Sequence, residues 1–307
     1  MNTPKHLCFI LSAQRSGSTL LRVLLDKLPG VISLPETFFW EFRNNYIQAD
    51  LSNKESLSSI CNAWLDFFTI RKWDINHGEL YDSIMGSNAS SWKDIFELSV
   101  KQYIKDVCPE FKGNTWVEKS PSHIFYQKDI LSFYPNAKFI YLLRDPRDQA
   151  ASLKTCSWST SNVYTIARVW RKGVRSFRVT SNNIVIKYEN LVTKPEKELE
   201  KVCELLNQPF DEALLAPVGM NFSKMGSQVT NVELHKKAYQ EITPQSIGNW
   251  RKKLSVPDRD VEVIEHVCHK EMIEYGYLLS REKVKKMIYP PILYQAFGLL
   301  FKKLMRY

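Results

Sequence analysis

The chain has 307 residues, enough for one large α/β domain or two smaller ones, and its 44% apolar and 24% charged residues are ordinary for a globular protein. No apolar run approaches the ~18 residues of a membrane-crossing helix, which predicts a soluble or peripheral protein. The net charge is +9, from 42 basic and 33 acidic residues, but seven basic residues and one acid lie from Arg281 onwards, so only +3 belongs to the rest. That suits a small anionic ligand; no basic stripe with stacking aromatics marks a nucleic-acid groove, so no nucleic-acid partner is expected.

Leu7 to Leu11 is an almost unbroken apolar run, as expected of a strand buried on both faces, and Leu20, Leu21, Leu24, Leu25 and Leu28 then recur at helical spacing. The turn between them, Gln14-Arg15-Ser16-Gly17-Ser18-Thr19, has the make-up of an oxyanion site. Gly17 permits a tight turn, the free amides of the helix start converge in front of it, and Arg15, Ser18 and Thr19 add guanidinium and hydroxyl donors. The bland alternative is a strand-turn-helix with a Ser or Thr N-cap. A Walker A loop needs a lysine where Ser18 stands and an earlier glycine that is missing, so ordinary ATP or GTP hydrolysis is disfavoured.

Val31 to Glu36 reads as a second short strand, with Glu36 at a carboxyl end, where open α/β sheets place ligands, and FFWEFRNNY follows as a helix. From about 48 to 114, Ser- and Asn-rich stretches separate two helical patterns: Leu57, Ile60, Cys61, Trp64, Leu65, Phe68, and Ile95, Leu98, Tyr103, Ile104. This predicts a helical insertion over the site, with Trp64, Phe67, Phe68, Trp73 and Trp92 serving as core or as acceptor pocket. TWVEK (115–119) is a third strand, with SHIFYQKDILSFY as the helix after it. Phe139 to Leu143 is a fourth, turning at Arg144-Asp145-Pro146 into a helix. Eight residues separate Arg144 from Ser152, so that helix brings the Ser152 hydroxyl back to a ligand held by Arg144, a second oxyanion site.

A helix from about Tyr164 to Thr180, the strand IVIKY ending at Tyr188, and a surface helix from Pro195 follow. An irregular region at 211–245 then leads to SIGNWRKKL, which opens a helical C-terminal portion. Five apolar strands separated by helices predict an α/β fold, a P-loop-like three-layer sandwich with a central parallel sheet flanked by helices. Residues 1–280 form one domain in this reading, and 281–307 a basic amphipathic tail that docks on the body, dimerises or touches an anionic membrane.

The six cysteines are scattered singly, without C-x-x-C pairs or zinc spacing, and read as buried free thiols of a reducing compartment. Together with an N-terminus that enters a strand within a few residues, they predict a cytoplasmic protein, in which the sequons at Asn88 and Asn221 are chance matches.

Three blocks in the correct order and spacing resemble the sulfotransferases that use 3′-phosphoadenosine 5′-phosphosulfate (PAPS), over roughly residues 6–254. QRSGSTLL is similar to the family's 5′-phosphosulfate loop, RDPRDQAAS to its 3′-phosphate block, and SIGNWRKKL to a tryptophan block near the end of bacterial members. The chain looks closest to the tyrosylprotein and bacterial branches, in which a helix ending in L-D-x-x-P leads to a short strand and a glutamate. The resemblance implies PAPS as co-substrate, no metal, and a hydroxyl-bearing acceptor: a small molecule, a glycan or a tyrosine. It implies that Arg15, Ser16, Gly17, Ser18 and Thr19 hold the 5′-phosphosulfate, that Arg144 and Ser152 hold the 3′-phosphate, and that Tyr188 lies against the nucleotide.

Lys119 matches the family lysine at the bridging oxygen and, by that resemblance, stabilises the departing charge with Arg15; the tyrosylprotein branch implies Glu36 as general base, the alternative being a helix N-terminal carboxylate before FFWEF. The cytosolic branch has a histidine two residues after its strand-end lysine, where this chain has Pro121. His123 keeps a minor claim as base, with a helix-surface histidine as the alternative. His235, Lys236 and Lys237 are weaker candidates for contact with the 3′-phosphate or the acceptor, and Trp250 is expected to pack. A P-loop kinase or nucleotide hydrolase, and a non-catalytic nucleotide- or membrane-binding protein of the same fold, are the competing readings.

Overall fold

Alternation along the first strand sets the layers. In the computed structural model, β1 (His6–Ser12) sends Cys8 and Ile10 into one apolar core and Leu7, Phe9 and Leu11 into another on the opposite face. β1 is therefore clad on both sides, which is why its sequence is apolar without interruption. The structure describes residues 6–87, 91–156, 159–178, 180–217, 241–254 and 259–280. Among these, β1, β2 (Val31–Ser33), β3 (Thr115–Glu118), β4 (Lys138–Leu143) and β5 (Asn183–Lys187) form one sheet in the order β2-β3-β1-β4-β5. Every pairing is parallel.

Helix α1 (Ser18–Leu25) covers one face with Leu20, Leu21, Leu24 and Leu25, joined there by Leu199, Val202, Cys203 and Leu206 of a helix over Pro195–Leu206. The other face carries the helix Val163–Ser176, the closing helix Arg259–Glu274 and the 48–114 segment. The chain leaves β1 toward β2 and β3 and later crosses to β4 and β5 on the other side. The carboxyl ends of β1, β3 and β4 therefore surround a crevice at a topological switch point.

The element boundaries differ from the sequence reading in three instructive places. β2 stops at Ser33: the Leu34 N–H still reaches the Val117 carbonyl at 2.8 Å, but the Thr37 N–H turns to the Glu118 side chain instead of the β3 backbone, so Glu36 lies in a loop beyond the strand. The helix expected from Ser122 to Tyr134 is a 3₁₀ turn, Pro121–Phe125, followed by a separate helix, Gln127–Phe133, because His123 folds back onto Glu118 within five residues. The inserted segment contains three helices where two were expected, Lys54–Leu65, His77–Gly86 and Trp92–Val107. The middle one buries only Leu80 and Ile84, too sparse a stripe to stand out, and its start is fixed by Asn76, which accepts from the Glu79 N–H.

Candidate active site

The loop after β1 is shaped by two left-handed residues. Arg15 has φ +64° and Gly17 φ +91°; a side chain at Gly17 would be strained by that φ and would also overlap the Tyr188 ring, so only glycine serves there. Ser18 and Thr19 form the first turn of α1, whose leading amides have no acceptor within the helix. Three side chains of the 144–152 block brace this loop. Gln149 donates to the Gln14 carbonyl at 2.7 Å, Arg144 donates to the Arg15 carbonyl at 2.8 Å, and Arg15 Nε donates to Ser152 Oγ at 3.1 Å.

The two oxyanion blocks read from the sequence thus meet at Arg15. Ser152 lies on the helix Pro146–Leu153, as the spacing requires, and faces Arg15. Arg144 stacks its guanidinium 4.4 Å from the Tyr188 ring centre, donates to the Ser246 carbonyl at 2.8 Å, and is held by its own carbonyl, which accepts from the buried Trp170 indole at 3.0 Å. Spare polar capacity remains in this half: Ser16 Oγ and Arg144 Nε are buried without a hydrogen-bond partner among the described residues. Tyr188, the first residue of the helix Tyr188–Thr193, also borders a cavity of about 360 Å³ lined by Leu20, Val192, Glu241, Thr243 and Ser246.

Past β2 and β3 lies the second half. The Lys119 ammonium and the Glu36 carboxylate form an ion pair in which the lysine side chain is 5% exposed and the glutamate 36%. The glutamate is the outer member and the cation sits behind it. Helix α1 fixes the approach to Glu36 from below: Asp26 accepts from the Ser33 N–H at 3.0 Å and Arg22 donates to the Leu34 carbonyl at 3.2 Å. The L-D-x-x-P pattern is therefore a structural tie between helix and strand.

Glu118 is fully buried and points away from Lys119 into a polar network. One carboxylate oxygen accepts from the Thr37 N–H at 3.2 Å, the Thr37 hydroxyl at 2.8 Å and the Ser120 hydroxyl at 2.5 Å; the other faces His123 Nδ1 at 2.7 Å. Burial alone raises the Glu118 carboxyl, but the facing imidazole and the hydrogen bonds from His123, Ser120 and Thr37 outweigh it and hold the group below its ordinary value. His123 Nε2 lies 3.4 Å from the Trp40 amide nitrogen, so both ring nitrogens have partners. His123 is wholly buried, neither on a helix surface nor available as a base.

Glu36 does not cap the helix that follows it, Phe39–Asn45; Thr37 Oγ1 accepts from its first amide, Phe39 N–H, at 3.1 Å. The inserted helices are tied to the same loop, since Thr69 Oγ1 donates to the Thr37 carbonyl at 3.1 Å and Phe68 packs on Phe38, their ring centres 5.3 Å apart. Of the insertion's aromatic residues, Trp64, Trp73 and Trp92 are core, Phe67 is half-buried and Phe68 is exposed.

In the SIGNWRKKL block, Trp250 packs as expected: it is buried and has the guanidinium carbons of Arg147 and Arg251 each 4.4 Å from its ring centre. Sequence reasoning missed Asp148, which accepts from the Gly248 and Trp250 amides at 2.7 and 2.9 Å and ties that block to the 144–152 helix. His235, Lys236, Lys237 and the tail 281–307 lie outside the described residues.

A parallel sheet with a glycine loop at its central strand, arginines converging from two β–α turns, and a lysine–glutamate pair beside them define a P-loop-like α/β protein whose polar residues gather at the carboxyl edge of the sheet. The particular family follows from comparison with known proteins: residues 8–212 match the sulfotransferase family, and the chain belongs to it. It is a PAPS-dependent sulfotransferase.

Among curated relatives, a putative protein-tyrosine sulfotransferase of Caenorhabditis briggsae is 22% identical over 76% of this chain and 79% of its own length. Nodulation protein NoeE of Sinorhizobium fredii is 24% identical over 91% of this chain and 68% of its own. The fold is shared with the sulfotransferase domain of the Synechococcus PCC 7002 olefin synthase (TM-score 0.61, 24% identity, 91% and 97% covered). It is shared also with that of the curacin biosynthetic pathway (TM-score 0.58, 21% identity, 91% and 100% covered).

The comparisons correct the expected cytoplasmic location. Relatives from worm, fly and fish are named protein-tyrosine sulfotransferases, a class of Golgi membrane enzymes. The cysteine argument fails on physical grounds: no disulfide joins the six cysteines, and five are buried, where packing isolates each thiol whatever the compartment. The dismissal of the two sequons falls with it; both asparagines lie outside the described residues. No helix among the described residues is long and apolar enough to cross a membrane.

Proposed function

We propose that Glu36 is the general base and that Lys119 and Arg15 neutralise the leaving phosphate. The observation that carries this reading is the asymmetric pair: a carboxylate open to the acceptor side and an enclosed cation behind it. When bound, PAPS supplies an activated sulfuryl group on a phosphate leaving group. The residues around it bind, orient and move one proton. Gly17, Ser16 and the amides of Ser18 and Thr19 cradle the 5′ end, where the Ser16 hydroxyl, without a partner among the described residues, fits an oxyanion. Arg144 and Ser152 take the 3′-phosphate, for which Arg144 Nε has no competing partner among the described residues. Tyr188 and the cavity beside it receive the base.

As the bond from sulfur to the bridging oxygen breaks and the bond to the acceptor oxygen forms, Glu36 takes the hydroxyl proton. Lys119 and Arg15 balance the charge left on the phosphate. Lys119 thereby exchanges Glu36 for the bridging oxygen, which frees the carboxylate to accept a proton. The acceptor is a hydroxyl of a small molecule, a glycan or a tyrosine. Residues 1–280 act as one domain, with the inserted helices bordering the acceptor side.

Calorimetric titration with 3′-phosphoadenosine 5′-phosphate (PAP) against ATP and Mg²⁺ tests the site: PAP binds and the nucleotide triphosphate does not. Glu36→Gln keeps PAP affinity and lowers turnover about 10²-fold or more. Normal turnover in that variant removes Glu36 as the base. A screen of hydroxyl acceptors with labelled PAPS then identifies the acceptor class.

A further inference from the structure

The base and its cation come from loops 83 residues apart in sequence, and neither is fixed by its own strand, since β2 ends at Ser33 and β3 at Glu118. What joins those loops is the carboxylate of Glu118. We infer that Glu118, with His123, Ser120 and Thr37, is a positioning device for the Glu36–Lys119 pair, assembled on the face of β3 opposite Lys119.

Thr37 follows Glu36 directly, and both its N–H and its hydroxyl donate to one oxygen of Glu118. Ser120 follows Lys119 directly, donates its hydroxyl to that same oxygen, and accepts from the Thr37 and Phe38 amides at 3.0 and 2.9 Å. The residue after the base and the residue after the cation are thus clamped to a single atom. His123 fixes the second carboxylate oxygen and, through Nε2, the Trp40 amide at the start of the next helix. Phe38, between the clamped residues, is held at φ +51°, a conformation bulky residues rarely adopt, so the surrounding bonds dictate the loop's path. A network with every carboxylate oxygen occupied is rigid, and a displacement of ~1 Å at a reacting group can cost about 10²-fold in rate. None of the four side chains needs to touch substrate to act in this way.

This inference rests on the sulfotransferase reading of the site. Its test compares Thr37→Ala, which removes one clamp donor, with Thr37→Ser, which keeps it. Crystal structures of the PAP complexes, PAP calorimetry, and PAP release from PAPS with p-nitrophenol as probe acceptor give three readouts, turnover being counted per PAP-binding site.

In Thr37→Ala the Glu36 carboxylate is expected to move by about 1 Å relative to Lys119 while Arg15, Arg144 and Ser152 stay in place. Turnover per site falls about 10- to 100-fold, and PAP affinity changes less than about threefold. Thr37→Ser restores both the carboxylate position and the turnover. A purely structural role predicts instead fewer PAP-binding sites with unchanged turnover per site. That result, or a Thr37→Ala complex with Glu36 undisplaced, overturns the inference while leaving the function standing. Failure of the wild-type chain to bind PAP overturns the reading of the site itself.

Discussion

The two halves of the site differ in how their polar groups are spent. At the proposed nucleotide end, Arg15, Arg144 and Ser152 hold one another, yet Ser16 Oγ and Arg144 Nε remain buried without a partner among the described residues. At the transfer end, Glu118 accepts from four donors and both nitrogens of His123 are engaged. Unspent donors cost free energy in the empty protein and regain it when an oxyanion arrives, so they suit binding. A saturated network gains nothing from a ligand and suits holding reactive groups still. Substitutions at the first end should therefore change affinity, and at the second end rate.

Lys119→Met tests this division at its largest expected effect. Removing one fixed donor from a developing charge typically lowers turnover about 10²- to 10³-fold, and PAP release from PAPS should fall by that much. PAP affinity should stay within a few-fold, because the Arg15 and Arg144 contacts are untouched. A parallel loss of PAP affinity would show that Lys119 serves binding, and the division would fail.

The RDPRD block sharpens the same comparison within four residues. Arg144 faces the nucleotide end, whereas Arg147 is buried, donates to Asp145 and to Glu265 at 2.7 and 2.6 Å, and lies against Trp250. Arg144→Ala should weaken PAP binding about 10- to 100-fold, the worth of a charge-assisted hydrogen bond or two, with only a modest loss of Tm from the freed Arg15 and Ser246 carbonyls. Arg147→Ala should instead lower Tm, because it strands two buried carboxylates. Calorimetry and thermal melts on both variants distinguish the roles, and an exchange of phenotypes would refute the assignment.

What could be read from the sequence follows the same line. QRSGST and RDPRD could be located because both are local turns at strand ends, which the structure brings together at Arg15, and the strands because apolar runs flag burial. The ties that hold those motifs were not. Asp148 reaches amides 100 and 102 residues away, Trp170 reaches the Arg144 carbonyl across 26, and Glu118 bonds Thr37 across 81. Such bonds join a side chain to a distant loop and follow no period along the chain. His123 illustrates the limit: its spacing from Lys119 invites a catalytic reading, and only the position of Glu118 five residues earlier reveals a buried, fully engaged ring.

The smallest expected effect concerns acid stability. The Glu118 carboxyl titrates below its ordinary value in the folded protein, so the unfolded chain takes up its proton first as the pH falls. Its contribution to stability is therefore fully present above roughly pH 5 and is lost as the pH drops through the folded value. Glu118→Gln carries no charge at that position in either state and should lose that pH dependence. Its Tm should lie below wild type at neutral pH, and the gap should close as the pH falls below about 4. The groups facing Glu118 are His123, Ser120 and Thr37, and the two hydroxyls do not titrate in this range, so the closing gap reports the carboxylate with its imidazole partner. A gap that stays constant with pH would mean that the network works through shape alone. The transfer end would then owe its rigidity to packing, as the apolar core beneath it does, and not to the carboxylate that distinguishes it from the nucleotide end.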